Sequence, residues 1–245
     1  HEKLIYGDTP SNGLINAKAF NLRGKPYQHY DSACLVMSKA QNPTTGIDEA
    51  FDFKGNLLRS ARKPVKDYKT TPDWSQSPIF DPEIFLSSSR FDALNRPIQH
   101  IAPHSDQPNT KLNIICPRYN EAGLLDQVNV WLGQNTEPTA LLNPATANLK
   151  AVSNINYDAK GQRTRIEYNE AGHSVITDYS YDPETYHLSR LLTTRPQHPE
   201  INKRTLQDLF YTYDPVANVT EIRDAAQQMV FFNNSSIAPS NAYVY

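Results

Sequence analysis

Apolar and polar residues alternate along this chain in short runs, and the runs read as strands. Residues 164–168 (TRIEY), 174–181 (SVITDYSY) and 218–223 (NVTEIR) are rich in β-branched and aromatic residues, with Gly, Asn, Asp and Pro around them. Those are strand signals with turn punctuation. Residues 112–116, 128–132 and 229–232 are shorter strand candidates. Two windows, 146–152 and 203–210, carry a weak helical pattern; each is about two turns, too short to be stable alone. Proline argues the same way: 18 prolines in 245 residues leave little room for long helices, since an interior Pro costs about 3 kcal/mol. The pattern predicts an all-β chain of short antiparallel strands.

A repeat runs through the strands. An aromatic residue followed by Asp or Asn occurs ten times, at Phe20–Asn21, Tyr30–Asp31, Phe51–Asp52, Phe91–Asp92, Tyr119–Asn120, Tyr157–Asp158, Tyr168–Asn169, Tyr181–Asp182, Tyr213–Asp214 and Phe232–Asn233. The composition alone would give about three or four such pairs. Three residues further on stand Gly24, Gly55, Gly123, Gly161 and Gly172, with Asn95 in a sixth copy. The aromatic anchors an outgoing strand, Asp or Asn caps the turn, and the third position after it requires a positive φ, which Gly supplies freely. Cys34, Thr185, Ala217 and Ser236 occupy that position in the other copies. A β-carbon there costs about 1 kcal/mol or more, so Cys34→Gly and Ala217→Gly are both expected to stabilise the fold. Each copy is a hairpin that cannot bury its face alone and needs stacked neighbours.

Composition sharpens this picture. Only 9 residues are Gly, under the usual share of about 7%, yet more than half of them occupy one turn position. Mean hydropathy is −0.62, while 10% aromatic content argues against disorder. No apolar run reaches the roughly 18 residues a membrane span needs. A net charge of −2 gives no bulk attraction to nucleic acid or anionic lipid. Two cysteines, Cys34 and Cys116, are too few for a disulfide framework or a four-thiolate zinc site. The N-terminal text HEKLIYGDTP shows no signal-peptide pattern, and both ends read as cuts from a longer chain.

The segments FDFKGNLLRS (51–60), FDALNRPIQ (91–99), YNEAGLL (119–125), YDAKGQRTRIEY (157–168) and YDPVANVTEI (213–222) resemble the YD repeats of RHS proteins. With NLRGKPYQHYDSA, TPDWS, IAPHSD, LLTTR and VFFNN, the wider text resembles the RHS core of insecticidal toxin-complex proteins, the B/C components and their SpvB-like relatives. The resemblance covers roughly residues 20–245. It implies repeats that wind a β-sheet into a hollow shell around a toxin effector. It also implies a virulence role, a secreted or cell-surface location and a toxin-complex translocation component as partner. No segment resembles the self-cleavage motif at the end of the family's core, so no catalytic residue carries over.

The candidate chemistry has plainer readings. Asp31, Asp52, Asp92, Asp158, Asp182 and Asp214 are read as turn caps; a cap must recur in every turn, whereas a catalytic acid need not. His100 and His104 have the i, i+4 spacing of a helical zinc pair, but Pro97 and Pro103 interrupt that helix. The other histidines, His1, His29, His173, His187 and His198, are scattered. Cys34 and Cys116 are read as structural thiols, and the sequons at Asn218, Asn233 and Asn234 as chance matches in an Asn-rich chain. The basic stretch 59–69 (RSARKPVKDYK) is read as an exposed inter-repeat loop.

The expectation is thus a segment of one RHS-type β-shell over residues 1–245, with a ragged lead-in at 1–19 and an inter-repeat loop region at 61–89. Its role is structural containment, with no catalytic, cofactor-binding or metal-binding residue and no enzyme activity. Its partners are the rest of the shell and an enclosed effector. Two rivals remain: a surface-exposed carbohydrate- or receptor-binding module, and a hydrolase with an unrecognised site.

Overall fold

The structure is a computed structural model that describes residues 2–10, 12–170 and 173–245. His1 and the slot glycine Gly172 lie outside the described residues. Twenty strands and two short 3-10 turns make up the described elements, so the all-β reading holds.

The chain forms two compact units. The first comprises His1–Pro117 and Val130–Asn148. Its strands are β1 (Lys3–Tyr6), β2 (Pro26–Tyr30), β3 (Cys34–Met37), β4 (Ala40–Gln41), β5 (Asp48–Glu49), β6 (Arg59–Pro64), β7 (Phe85–Phe91) and β8 (Pro97–Ser105). It also holds most of β9 (Leu112–Tyr119) and the second half of β10 (Leu125–Gln134). These strands lie in the order β1-β2-β3-β6-β7-β8-β9-β10, while β4 and β5 form a separate hairpin. One sheet face carries a true core, in which Ile101, Leu112, Ile114, Cys116 and Trp131 cluster under Leu142 and Ala147 of the segment after β10. The Trp131 indole N–H donates to the Thr146 hydroxyl at 3.1 Å.

The second unit comprises Arg118–Asn129 and Leu149–Tyr245. It holds β11 (Leu149–Val152), β12 (Asn154–Tyr157), β13 (Arg163–Glu170), β14 (His173–Tyr181) and β15 (Leu188–Thr194). After them come β16 (Thr205–Tyr213), β17 (Val219–Asp224), β18 (Val230–Phe232), β19 (Ser235–Ile237) and β20 (Ser240–Ala242). Strands β12 to β17 pair in chain order with β20 at the edge, every pair antiparallel. Cross-strand partners share a face, so the register defines two faces. Ile155, Ile166, Tyr168, Val175, Tyr179, Leu191, Leu209, Tyr211 and Ile222 fall on one. Arg165, Asp178, Arg190, Asp208, Phe210 and Arg223 fall on the other. The polar face is knit by charge. Arg165 bridges Glu167 and Asp178 at 2.9 and 3.3 Å. Arg190 pairs with Asp208 at 2.6 Å. The guanidinium groups of Arg190 and Arg223 lie 5.0 and 4.8 Å from the Phe210 ring.

Several expectations are corrected. The window 146–152 holds the end of a 3-10 turn (Pro144–Thr146) and β11, and 203–210 holds the end of Ile201–Lys203 and most of β16. Neither forms an α-helix, because strand pairing rewards their β-branched and aromatic residues more than an isolated two-turn helix could. The lead-in contains β1, paired to β2. The basic stretch begins as strand β6 and only its second half is loop; the reason is Arg59, which is buried rather than solvated. Likewise the loop region 61–89 starts within β6 and ends within β7.

Candidate functional site

The repeated turn is the most regular device in the molecule. In the copies at Asp52, Asp92, Asn120, Asp158 and Asp214, the N–H of that residue donates to the carbonyl four residues on. The N–H three residues on donates back to its carbonyl. At Asp52, Asp92, Asp158 and Asp214, Oδ1 accepts the N–H groups of the second and fourth following residues at 2.8–3.0 Å. Asn120 takes the fourth at 3.0 Å. In three copies the fourth side chain also reaches Oδ2: Asn56 and Arg96 at 2.8 Å, Asn218 at 2.9 Å. The slot residue is then forced left-handed, with φ of 93° at Gly55, 63° at Asn95, 78° at Gly123, 80° at Gly161 and 72° at Ala217. This is the three-residue hairpin with its bulge, and the ladders duly shift register just before Phe91, Tyr157 and Tyr213.

The hydrogen bonds from Arg96, from Asn218 and from Thr185 hold the carboxyls of Asp92, Asp214 and Asp182 below the usual range. At Asp52 burial works against ionisation, but the bonds from Asn56, Lys54 and Gly55 outweigh it and the shift is again downward.

The departures now separate. Ala217 truly sits at positive φ. The Asp182 turn is one residue longer, so Tyr186 takes the left-handed conformation at 62° in place of Thr185. The turn at Phe232 is a two-residue link in which Asn233 and Asn234 have φ of 50° and 58°, and Ser236 belongs to β19. The expectation for Cys34 is overturned: it is the first residue of β3, buried, and donates its N–H to Asp31 Oδ1 at 2.7 Å. In the first copy Asn21 itself has φ 53° and sends its side-chain amide to the Phe51 carbonyl at 3.0 Å. The Asn169 turn runs into residues outside those described.

Sequence reasoning missed the link between copies. The hydroxyl of Tyr157 donates to the Leu125 carbonyl at 2.7 Å, that of Tyr181 to Arg163 at 2.9 Å and that of Tyr213 to Leu188 at 2.9 Å. The three acceptors begin the strands that leave the capped turns at Asn120, Asp158 and Asp182. The signal was the choice of Tyr over Phe at the motif aromatic. Where the copy has Phe, as at Phe91, side-chain amides take over: Asn56 donates to Asn95 Oδ1 at 3.0 Å across successive turns.

A second missed feature is charged. Arg59, 1% exposed, makes a bidentate pair with Glu137 at 3.0 and 2.5 Å and bonds Glu49 at 2.7 Å. The Ser88 hydroxyl also donates to Glu137 at 3.1 Å. Burial alone would depress the guanidinium; the two carboxylates more than offset it and push it upward. The cluster ties the β4–β5 hairpin and the segment after β10 to the sheet.

His100 and His104 do not converge. A bulge in the β7–β8 ladder puts them on opposite faces; His100 meets the Ser89 hydroxyl at 2.9 Å, and His104 is buried against the Ala102 carbonyl. Burial pushes both thiols up to about 11, helped at Cys34 by its bond to Asp31, so both stay protonated at neutral pH. Among the described residues no three His, Cys, Asp or Glu side chains are grouped as a metal site, and no helix is long and apolar enough to cross a membrane.

No family model matches the chain. It is 32% identical over 229 residues to the toxin subunit YenC1 of Yersinia entomophaga, covering 93% of this chain and 21% of that protein. Toxin subunit YenC2 of the same organism is 28% identical over 254 residues, covering 100% and 22%. The crystal structure of TcdB2-TccC3 superposes with a TM-score of 0.66 at 28% identity, over 100% of this chain and 10% of that one. The Photorhabdus luminescens Tc holotoxin pore gives the same values. The chain spans about a fifth of the length of the curated relatives it matches. It is homologous to these toxin subunits and shares the all-β RHS-shell fold of the toxin complexes.

Proposed function

We propose that residues 1–245 are one wall segment of a hollow RHS shell that encloses a toxin effector polypeptide. The role is containment without catalysis. Its partners are the remainder of the shell, the enclosed effector and a translocation component of the toxin complex, in a secreted or cell-surface assembly. The observation that carries this reading is the repeat-to-repeat latch. A capped turn plus a tyrosine hydroxyl on an earlier repeat lets a sheet grow by adding copies, and closing such a sheet removes its edges. A wall built this way denies an enclosed chain room to fold or escape by sterics alone.

The test is limited proteolysis of the full-length protein that carries this segment, produced with its effector. The effector is expected to resist protease in the intact protein and to become cleavable when Tyr157, Tyr181 and Tyr213 are all changed to Phe and the shell is warmed. Equal cleavage of the effector inside the intact protein and free in solution would overturn the reading.

A further inference from the structure

Between β6 and β7 the chain leaves the sheet and returns beside its own exit. The Lys66 N–H donates to the Ile79 carbonyl at 2.9 Å, and the Asp81 N–H to the Pro64 carbonyl at 2.9 Å. A compact surface excursion with joined ends is an Ω-loop, a class often recruited for function. One side chain pins it. Trp74 is buried, donates its indole N–H to the Asp31 carbonyl at 2.9 Å, meets Tyr30 edge-on at 4.9 Å and stacks on Phe80 at 6.1 Å. The tip is folded by its own acids. Asp67 takes the Lys69 N–H at 3.0 Å and the Thr70 hydroxyl at 2.8 Å; Asp73 takes the Ser75 N–H and hydroxyl at 3.0 and 2.8 Å. Those bonds hold both carboxyls below their usual range.

The arms of the loop border an open cleft of about 730 Å³. Tyr68 stands on its lining with 87% of its surface exposed. The buried tryptophan fixes the shape of the loop, and Tyr68 stays open to solvent, with the Lys69 ammonium 5.9 Å from its ring centre. The charges of Lys66 and Lys69 balance those of Asp67 and Asp73, so the cleft has no net field to select an anionic polymer. What it offers is an exposed ring on the same lining as the Asp73 carboxylate, the Gln76 amide and the Thr71 hydroxyl.

We propose that the cleft of loop 66–79 binds a neutral oligosaccharide, with Tyr68 against a pyranose face and Asp73, Gln76 and Thr71 taking its hydroxyls. This does not depend on the containment reading. The test uses the full 245-residue chain on an array of neutral, sialylated and sulfated glycans, followed by calorimetric titration of the best neutral ligand. Neutral ligands are expected to bind. Tyr68→Ala should weaken binding about tenfold, and Gln76→Ala by a smaller factor. Leu94→Ala, an exposed apolar change on another turn, should leave it unaltered. An unchanged far-UV spectrum checks that the variants fold. Binding of acidic glycans alone, no neutral binding up to about 5 mM, or Tyr68→Ala binding as tightly as the wild type would each overturn the proposal.

Discussion

The two units hold themselves together by different means. The first buries Leu22, Leu35, Ala61, Trp74, Ile101, Ile114 and Trp131, among others, and buries an arginine and a glutamate as well. The second has only Ile155 and Ile166 as buried hydrophobic residues among those described. Most of its tyrosines and leucines are half-covered, and its order comes from turn caps, hydroxyl latches and a charged ladder. A repeat sheet does not need a conventional core where the repeat is regular. Where long insertions interrupt the repeat, as around residues 66–79 and 135–148, they bring a core of their own.

The largest expected effects lie in the first unit. Glu137→Ala leaves Arg59 buried without its bidentate partner and should cost about 3–5 kcal/mol, read as a fall in the urea midpoint. Replacing both as Arg59→Met with Glu137→Leu should recover most of that loss; a single change costing under about 1 kcal/mol would remove the ion cluster from the comparison. Next comes packing. Ile114→Ala should cost about 2–5 kcal/mol, whereas the half-exposed Leu191→Ala in the second unit should cost only about 1 kcal/mol. Equal losses would break the contrast between the units.

Smaller effects sharpen it. Tyr157→Phe, Tyr181→Phe and Tyr213→Phe should each cost about 1 kcal/mol. The loss should appear as faster amide exchange on the strand whose carbonyl the hydroxyl reaches, as local unfolding predicts. Slower or unchanged exchange there would mean that the latch is incidental. Ala217→Gly should raise stability by up to about 1 kcal/mol, because a β-carbon is strained at its φ of 72°. Cys34→Gly should lower stability, because it empties a buried strand position. Last is acid. The folded carboxyls of Asp52, Asp92 and Asp214 titrate below the unfolded value, which is about 3.9. Their contribution is therefore fully present above pH 5 and is lost as pH falls through the folded values. The urea midpoint should be flat from about pH 7 to 5 and drop below about pH 4; changing all three to Asn should blunt the drop.

The repeat, the all-β class and most of the turns are legible in the residues alone. Those depend on residues a few positions apart: an Asp that reaches two and four residues on, and a slot where only Gly, Asn or a strained Ala fits. The sequence misjudged Cys34 because a turn one residue shorter leaves the motif spacing intact while moving the slot into a strand. It was blind to the Arg59–Glu137 pair, whose members are 78 positions apart, and read Arg59 as part of a solvated loop. Tertiary structure alone decided that pairing, the face each strand buries and which carbonyl each tyrosine reaches. Turn chemistry is local and visible in a short window, whereas burial depends on which distant segment lies across the sheet.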